Sequence, residues 1–228
     1  MPMTHVIAHR GASQVERENT VEAFRAAVAL GADGIELDAR RTADGEIVVH
    51  HDALLPDGRA IVATDRSDLP DHIPTLATAL DACAGAFVNV EVKNDPSEPD
   101  FDPDDRVAEA VVAEIGTRSD GIDRWLISSF RLATVDRCLA LAPALSTAWL
   151  VHAVGEDTPT LLAERGHCAV HPWEPTVTAA VIERCHAAGL AVNTWTCNDP
   201  VRAAELAAWA IDGIVSDNVT LTLSALGR

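Results

Sequence analysis

Along the 228 residues, a short β-type run is followed eight times by an Ala-rich amphipathic segment, and this alternation limits the fold more than any other feature. The strand candidates are 5–8, 34–39, 87–92, 125–128, 146–150, 169–171, 191–194 and 213–216. Helices are predicted between them at 20–30, 76–83, 104–116, 132–142, 158–164, 176–188 and 200–210, with a short one at the C-terminus. Asn19, followed three residues later by Glu22, has the pattern of a capped helix start, and Gly31, Gly116 and Gly189 stand where C-cap glycines belong. Eight such units imply an α/β fold, a (β/α)₈ TIM barrel filling 1–228 as one domain, although an open doubly wound sheet shares the pattern. No Gly-x-Gly-x-x-Gly follows the first strand, which argues against a dinucleotide site. The polar stretch 52–74, with Pro56, Gly58, Pro70 and Pro74, breaks the rhythm as a short loop insertion after the second strand. A second such loop, 95–105, is rich in Pro and Asp. Both follow strands at the end where barrel enzymes carry their sites.

The charge balance narrows the partners. Lys and Arg number 17 against 35 Asp and Glu, a formal charge of -18. Nucleic acid and anionic membranes both call for a basic face, so neither a nucleic-acid partner nor stable membrane association is expected. A small anion needs only a few cations gathered locally. The five scattered cysteines contain no C-x-x-C pair and are expected to be buried free thiols in a reducing compartment. Residues 1–9 show neither a basic n-region nor a long apolar h-region, and no run approaches the ~20 apolar residues of a membrane span. A cytoplasmic location is the expectation, and the acceptor pattern at Asn218-Val219-Thr220 is then a chance match.

The chemistry shows in the charged residues of the strands. In Ile35-Glu36-Leu37-Asp38 the period of two puts both carboxylates on one face, and in Asn89-Val90-Glu91-Val92-Lys93 it groups Asn89, Glu91 and Lys93. The apolar residues between them should face the helices, so three carboxylates and one lysine point into the barrel. Like charges in a low-dielectric lumen cost several kcal/mol each unless they are paired. One lysine cannot neutralise three carboxylates, whereas a divalent cation can. All-oxygen ligation suits Mg²⁺ or Ca²⁺, with Mn²⁺ as a further candidate. The competing arrangement is an internal salt-bridge network without metal, which leaves negative charge in excess.

Two histidines stand at strand ends. His9 closes Val6-Ile7-Ala8 before Arg10-Gly11, and His51 follows the apolar run Ile47-Val48-Val49 with Asp52 beside it. Imidazoles titrate near working pH and suit a general acid and general base. His171 also ends a strand, before Pro172, and is a weaker candidate; His5, His50, His72, His152, His167 and His186 lack such a setting. Arg10 and Lys93 supply the cations that the composition withholds, the guanidinium as a two-pronged phosphate ligand and the ammonium as a point charge. No Gly-x-Ser-x-Gly elbow supports acyl-enzyme chemistry.

Read together, His9-Arg10-Gly11-Ala12, Glu18-Asn19-Thr20, Gly34-Ile35-Glu36-Leu37-Asp38, His51-Asp52, Val90-Glu91-Val92-Lys93, Asn193-Thr194-Trp195 and Val215-Ser216-Asp217 resemble the glycerophosphodiester phosphodiesterase family in order, over nearly the whole chain. The resemblance implies a (β/α)₈ barrel that hydrolyses glycerophosphodiesters to glycerol 3-phosphate and an alcohol. It makes Glu36, Asp38 and Glu91 the metal ligands and His9 and His51 the acid–base pair. Arg10 and Lys93 would bind the phosphate, with Glu18 and Trp195 further substrate contacts, Trp195 packing on the glycerol carbons. The family route has the glycerol 2-hydroxyl attack phosphorus and water open the resulting cyclic phosphate. Asp217, just before the last helix, reads as a cap. Many relatives carry a longer segment after the His-Asp pair; here 53–72 is short and reads Leu55-Pro56-Asp57-Gly58-Arg59, which puts the alcohol preference in question. The alternatives are a related barrel phosphodiesterase acting on lysophospholipids or phosphoinositides and a non-catalytic phosphoester-binding barrel. The oligomeric state is left open.

Overall fold

The structure, a computed structural model, describes residues 3–119 and 121–228. Nine strands form among these residues: β1 (His5–His9), β2 (Gly34–Arg41), β3 (Ile47–Val49), β4 (Phe87–Val92), β5 (Trp125–Ser129), β6 (Ser146–Val151), β7 (Ala169–Pro172), β8 (Ala191–Thr194) and β9 (Gly213–Ser216). Eight of them pair in parallel in the order β2-β4-β5-β6-β7-β8-β9-β1, and β1 pairs back onto β2, so the sheet closes as a TIM barrel and not as an open doubly wound sheet. The helices α1 (Val21–Ala29), α2 (Leu76–Ala82), α3 (Arg106–Gly116), α4 (Leu132–Leu141), α5 (Thr158–Arg165), α6 (Ala179–Ala187), α7 (Pro200–Ala208) and α8 (Val219–Ala225) fall between and after the strands. None is long and apolar enough to cross a membrane.

Strand periodicity does what the sequence implies. Ile35, Leu37 and Ala39 of β2 and Val88, Val90 and Val92 of β4 are fully buried in the outer core, with Phe24, Leu80 and Val111 of the helices. Burying each large aliphatic side chain there stabilises the fold by ~1.5–3 kcal/mol. The alternate residues face the lumen. Its lower end is filled by Leu126, Ala148 and Ala169, packed with Phe87 and Ala191. Two glycines are required beside this plug. A Cβ on Gly34 would lie 2.7 Å from the Phe87 ring, and one on Gly213 only 2.4 Å from Asn193 Oδ1.

Several local expectations are corrected. Residues 47–49 form β3, antiparallel to the end of β2 with Ala39 opposite Val49, a strand too short to show as a pattern. The cap of α1 is Thr20, whose hydroxyl accepts the Ala23 N–H; Asn19 is left-handed (φ 56°) and turns its side chain elsewhere. Gly116 is simply the last residue of α3, whereas Gly31 and Gly189 do take positive φ just past their helices. Thr178 caps α6, so that helix begins later than predicted, after a 3₁₀ turn at Glu174–Thr176. The 52–74 stretch is a small packed lobe in which Leu55, Ile61, Leu69 and Ile73 bury against Val48 of β3. Cys83, Cys138, Cys185 and Cys197 are buried free thiols, but Cys168 is exposed.

Candidate active site

Parallel register stacks the charged residues at one end of the lumen. His9 of β1 lies opposite Glu36 of β2, Glu36 opposite Asn89 of β4, and Asp38 opposite Glu91. Oxygens of Glu36, Asp38 and Glu91, all buried, come within 4.8 Å of one another. Lys93 Nζ bridges Asp38 at 2.8 Å and Glu91 at 2.5 Å, and the Arg10 backbone N–H donates to Glu36 Oε2 at 3.0 Å. The Arg10 guanidinium lies against Asp38 (3.4 Å) and donates to both oxygens of Glu18 (3.0 and 3.1 Å). Asn19, which caps no helix, holds Asp38 from outside: its amide donates to Asp38 Oδ2 at 2.7 Å.

Two cations do not balance this cluster. Burial would raise the Asp38 carboxyl, but Lys93 and Arg10 outweigh it and hold the pKa well below the carboxylate range. Lys93 is raised in turn, the pull of Asp38 and Glu91 overcoming its burial. Glu36 is left over. Burial and the neighbouring Asp38 charge both push its carboxyl up, and its Oε1 is buried without a hydrogen-bond partner. Asn89 Oδ1, across the β2–β4 pair, is likewise buried and unpartnered. Buried acceptors without donors are costly. An all-oxygen pocket with excess negative charge and orphaned acceptors fits a hard divalent cation.

The two histidines have different settings. His9 Nδ1 bonds Asp217 Oδ1 at 2.7 Å, across the β1–β9 seam, and Asp217 also accepts from Asn198 (2.6 Å) and Ser13 (3.3 Å). Burial would lower the His9 pKa, but the Asp217 bond and the Glu36 charge outweigh it and raise it. The His9 bond is the main reason that Asp217 falls to about 2. Asp217 therefore does not cap α8, a task that falls to Asn218. His51 lies on the connection after β3, more exposed, with its Nδ1 on Asp52 at 2.7 Å.

An inner pocket of about 70 Å³ gathers His9, Arg10, Glu36, His51, Glu91 and Lys93. Its opposite wall comprises Phe130, Leu150, His171, Trp195 and Val215. Trp195 meets Phe130 edge to face (5.3 Å) and donates its indole N–H to His171 O at 2.8 Å, so its ring is fixed beside the pocket. His171 is fully enclosed; burial drives its pKa to about 3, and the neutral ring accepts from the Asn193 amide at 2.9 Å. Two grooves open outward. One, of about 220 Å³, passes Lys93, Asp95, Glu98 and Phe130; the other, of about 620 Å³, passes Glu18, Asp52, Leu55 and Glu98. His51 lines the inner pocket and both grooves. Glu18 thus lines a groove while bound to Arg10. His152, read as unremarkable in sequence, borders the smaller groove, and His50 and His72 border the larger.

A closed parallel barrel with cations and carboxylates converging at its C-terminal mouth has the form of an enzyme site suited to phosphate esters. The comparisons with known proteins agree. Residues 9–221 match the model of the glycerophosphoryl diester phosphodiesterase family. An uncharacterised protein of Bacillus subtilis is 30% identical over 94% of this chain and 95% of its own length. A glycerophosphodiester phosphodiesterase of Caldanaerobacter subterraneus is 28% identical over 94% of each chain. An Oleispira antarctica phosphodiesterase, solved in complex with the product sn-glycerol-3-phosphate, superposes with a TM-score of 0.90 at 25% identity, covering 99% of this chain and 98% of its own. The chain belongs to the glycerophosphoryl diester phosphodiesterase family, whose activity is the hydrolysis of glycerophosphodiesters.

Proposed function

We propose that this chain hydrolyses glycerophosphodiesters to glycerol 3-phosphate and an alcohol in a divalent-metal-dependent reaction with His9 and His51 as the acid–base pair. The observation that carries the reading is the inner pocket, where both histidines, Arg10 and Lys93 meet a buried carboxylate cluster that its own cations leave unbalanced. Glu36, Asp38 and Glu91 would hold the ion, Mg²⁺ or Ca²⁺ by their oxygen donors, with Mn²⁺ a further candidate. Bound there, such an ion supplies Lewis-acid polarisation of the phosphoryl group and a lowered hydroxyl pKa.

The chain's own groups divide the remaining work. The glycerol phosphate end of the substrate enters the inner pocket, its carbons against Trp195 and its phosphate near Arg10 and Lys93. The alcohol points out along the grooves. His9, deep in the pocket and oriented by Asp217, is placed to take the proton of the attacking hydroxyl. His51, at the junction of pocket and grooves, is placed to give a proton to the departing alcohol. In the second half the roles reverse as water opens the cyclic phosphate. The enclosing Phe130, Leu150 and Trp195 leave the glycerol side little room for an acyl chain, which disfavours lysophospholipids.

Glycerol 3-phosphate release from glycerophosphocholine and glycerophosphoethanolamine, with EDTA and after readdition of Mg²⁺, Ca²⁺ or Mn²⁺, tests this. EDTA should abolish turnover and one of the ions restore it. Activity indifferent to EDTA would overturn the metal role, and no release under any condition would favour a non-catalytic binding barrel.

A further inference from the structure

The lumen-facing side of β2 does not end at Asp38. Two residues on, Arg40 continues the same face with a side chain only 1% exposed, among the largest fully buried in the molecule. A buried guanidinium is costly unless its donors are satisfied. All five of its N–H donors are engaged here. Nε and Nη2 both donate to the backbone carbonyl of His51, at 2.8 and 2.5 Å. Nη1 donates to Glu98 at 2.8 Å and Asp100 at 2.5 Å, and Nη2 reaches the other Glu98 oxygen at 3.1 Å. One side chain therefore joins three segments: the strand bearing two of the site carboxylates, the connection bearing His51, and the 95–105 loop.

His51 needs such an anchor. Unlike His9, it is not held within a barrel strand, and among the described residues its imidazole hydrogen-bonds to Asp52, whose side chain is 72% exposed. Surface pairs of this kind constrain geometry weakly. The firm constraint on His51 lies in its backbone, in the forked grip of Arg40 and the His50 N–H bond to Asp38 O at 3.0 Å. The same guanidinium fixes Glu98, which lines both grooves beside His51.

We infer that Arg40 is the positioning residue for His51: its grip on the His51 carbonyl and on Glu98 sets the imidazole against the departing alcohol and couples the 95–105 loop to proton delivery. The inference rests on the proposed role of His51 as general acid. A shift of about 1 Å in a catalytic group can cost on the order of a hundredfold in rate. A misplaced acid should slow the expulsion of a leaving group that needs a proton and spare one that does not, whereas the opening of the cyclic phosphate is common to every ester.

The test compares the single-turnover rate of release of choline, an alkyl alcohol, from glycerophosphocholine with that of p-nitrophenolate, which departs unprotonated, from the p-nitrophenyl ester of glycerol 3-phosphate. Arg40→Lys keeps the charge and loses the fork. It should lose roughly ten- to a hundredfold on the choline ester and under about threefold on the p-nitrophenyl ester, the same discrimination as His51→Ala in milder form. Asp100→Asn, which loosens the guanidinium from outside the grooves, should show the same bias more weakly and serves if Arg40→Lys fails to fold. Equal losses on both esters, or none, while His51→Ala discriminates, would overturn the role of Arg40 alone. If His51→Ala itself fails to discriminate, the general-acid reading falls and the inference with it.

Discussion

The two walls of the lumen are built from different materials. On the side of β1, β2 and β4, His9, Arg10, Glu36, Asp38, Glu91 and Lys93 crowd together, and little there is electrically neutral. On the side of β6 to β9, Leu150, His171, Trp195 and Val215 carry no net charge, His171 being kept neutral by burial. One wall concentrates charged and titratable groups; the other supplies shape. The charged wall is the one the fold would not tolerate without compensation, since its acids are buried beyond what two cations offset. The neutral wall needs no such relief. Asp217 belongs to the neutral side by sequence but serves the charged one, reaching His9 across the seam where the barrel closes.

That division can be broken at unequal depths. The largest effect belongs to the charged wall: His9→Ala should lower kcat by about 10³-fold or more, within the range for loss of a general base. Asp217→Asn keeps the ring but weakens its anchor and should cost roughly tenfold to a hundredfold. Steady-state rates, with circular dichroism to confirm folding, check both; a Asp217→Asn enzyme with normal rates would separate the dyad from catalysis. On the neutral wall, Trp195→Ala should act mainly through KM, raising it about tenfold with a smaller change in kcat. A collapse of kcat at constant KM would mean that this wall also takes part in the chemistry.

The smallest effect is one of stability. The folded pKa of His171, about 3, lies below its unfolded value of 6.5, so the unfolded chain binds the extra proton and stability falls as pH drops through that window. From pH 7 to 5 this one group should contribute a loss of about 2 kcal/mol. Denaturant midpoints of the wild type and His171→Gln at the two pH values measure it. The variant should show the shallower decline, and parallel declines would place the pH sensitivity elsewhere.

The sequence showed one wall far better than the other. Alternation within β2 and β4 exposes Glu36, Asp38, Glu91 and Lys93 as a set because their spacing is local and carboxylates in apolar strands stand out. The neutral wall carries no such signal: Leu150 and Val215 look like any core residue until the ring closes around the pocket. Asp217 reads as a cap for a related reason. Its partner lies 208 residues away, and only strand closure brings them together. Asn19 reads as a helix cap because short polar side chains serve both at helix starts and in buried hydrogen bonds to carboxylates; the positive φ that turns it toward Asp38 leaves no mark in the sequence. Arg40 follows Glu36 and Asp38 by the same period of two, but the sequence predicts the strand to end at residue 39 whereas β2 runs on to Arg41, so its inward aim shows only in the structure. The 52–74 stretch announced itself as an interruption but not as a packed lobe, because its apolar residues are spaced irregularly.

The plug of Phe87, Leu126, Ala148 and Ala169 beneath the pocket closes the barrel's lower end, so the pocket is a well that opens only toward the grooves at its mouth. Traffic through such a well is ordered. In the proposed pose, with the glycerol phosphate end at the bottom and the alcohol above it, the alcohol would depart first and water follow by the path it vacates. Glycerol 3-phosphate would then depart last, from the position the next substrate must occupy. It is therefore the product that competes with substrate, and an accumulating pool of it would throttle the enzyme while the released alcohol would not.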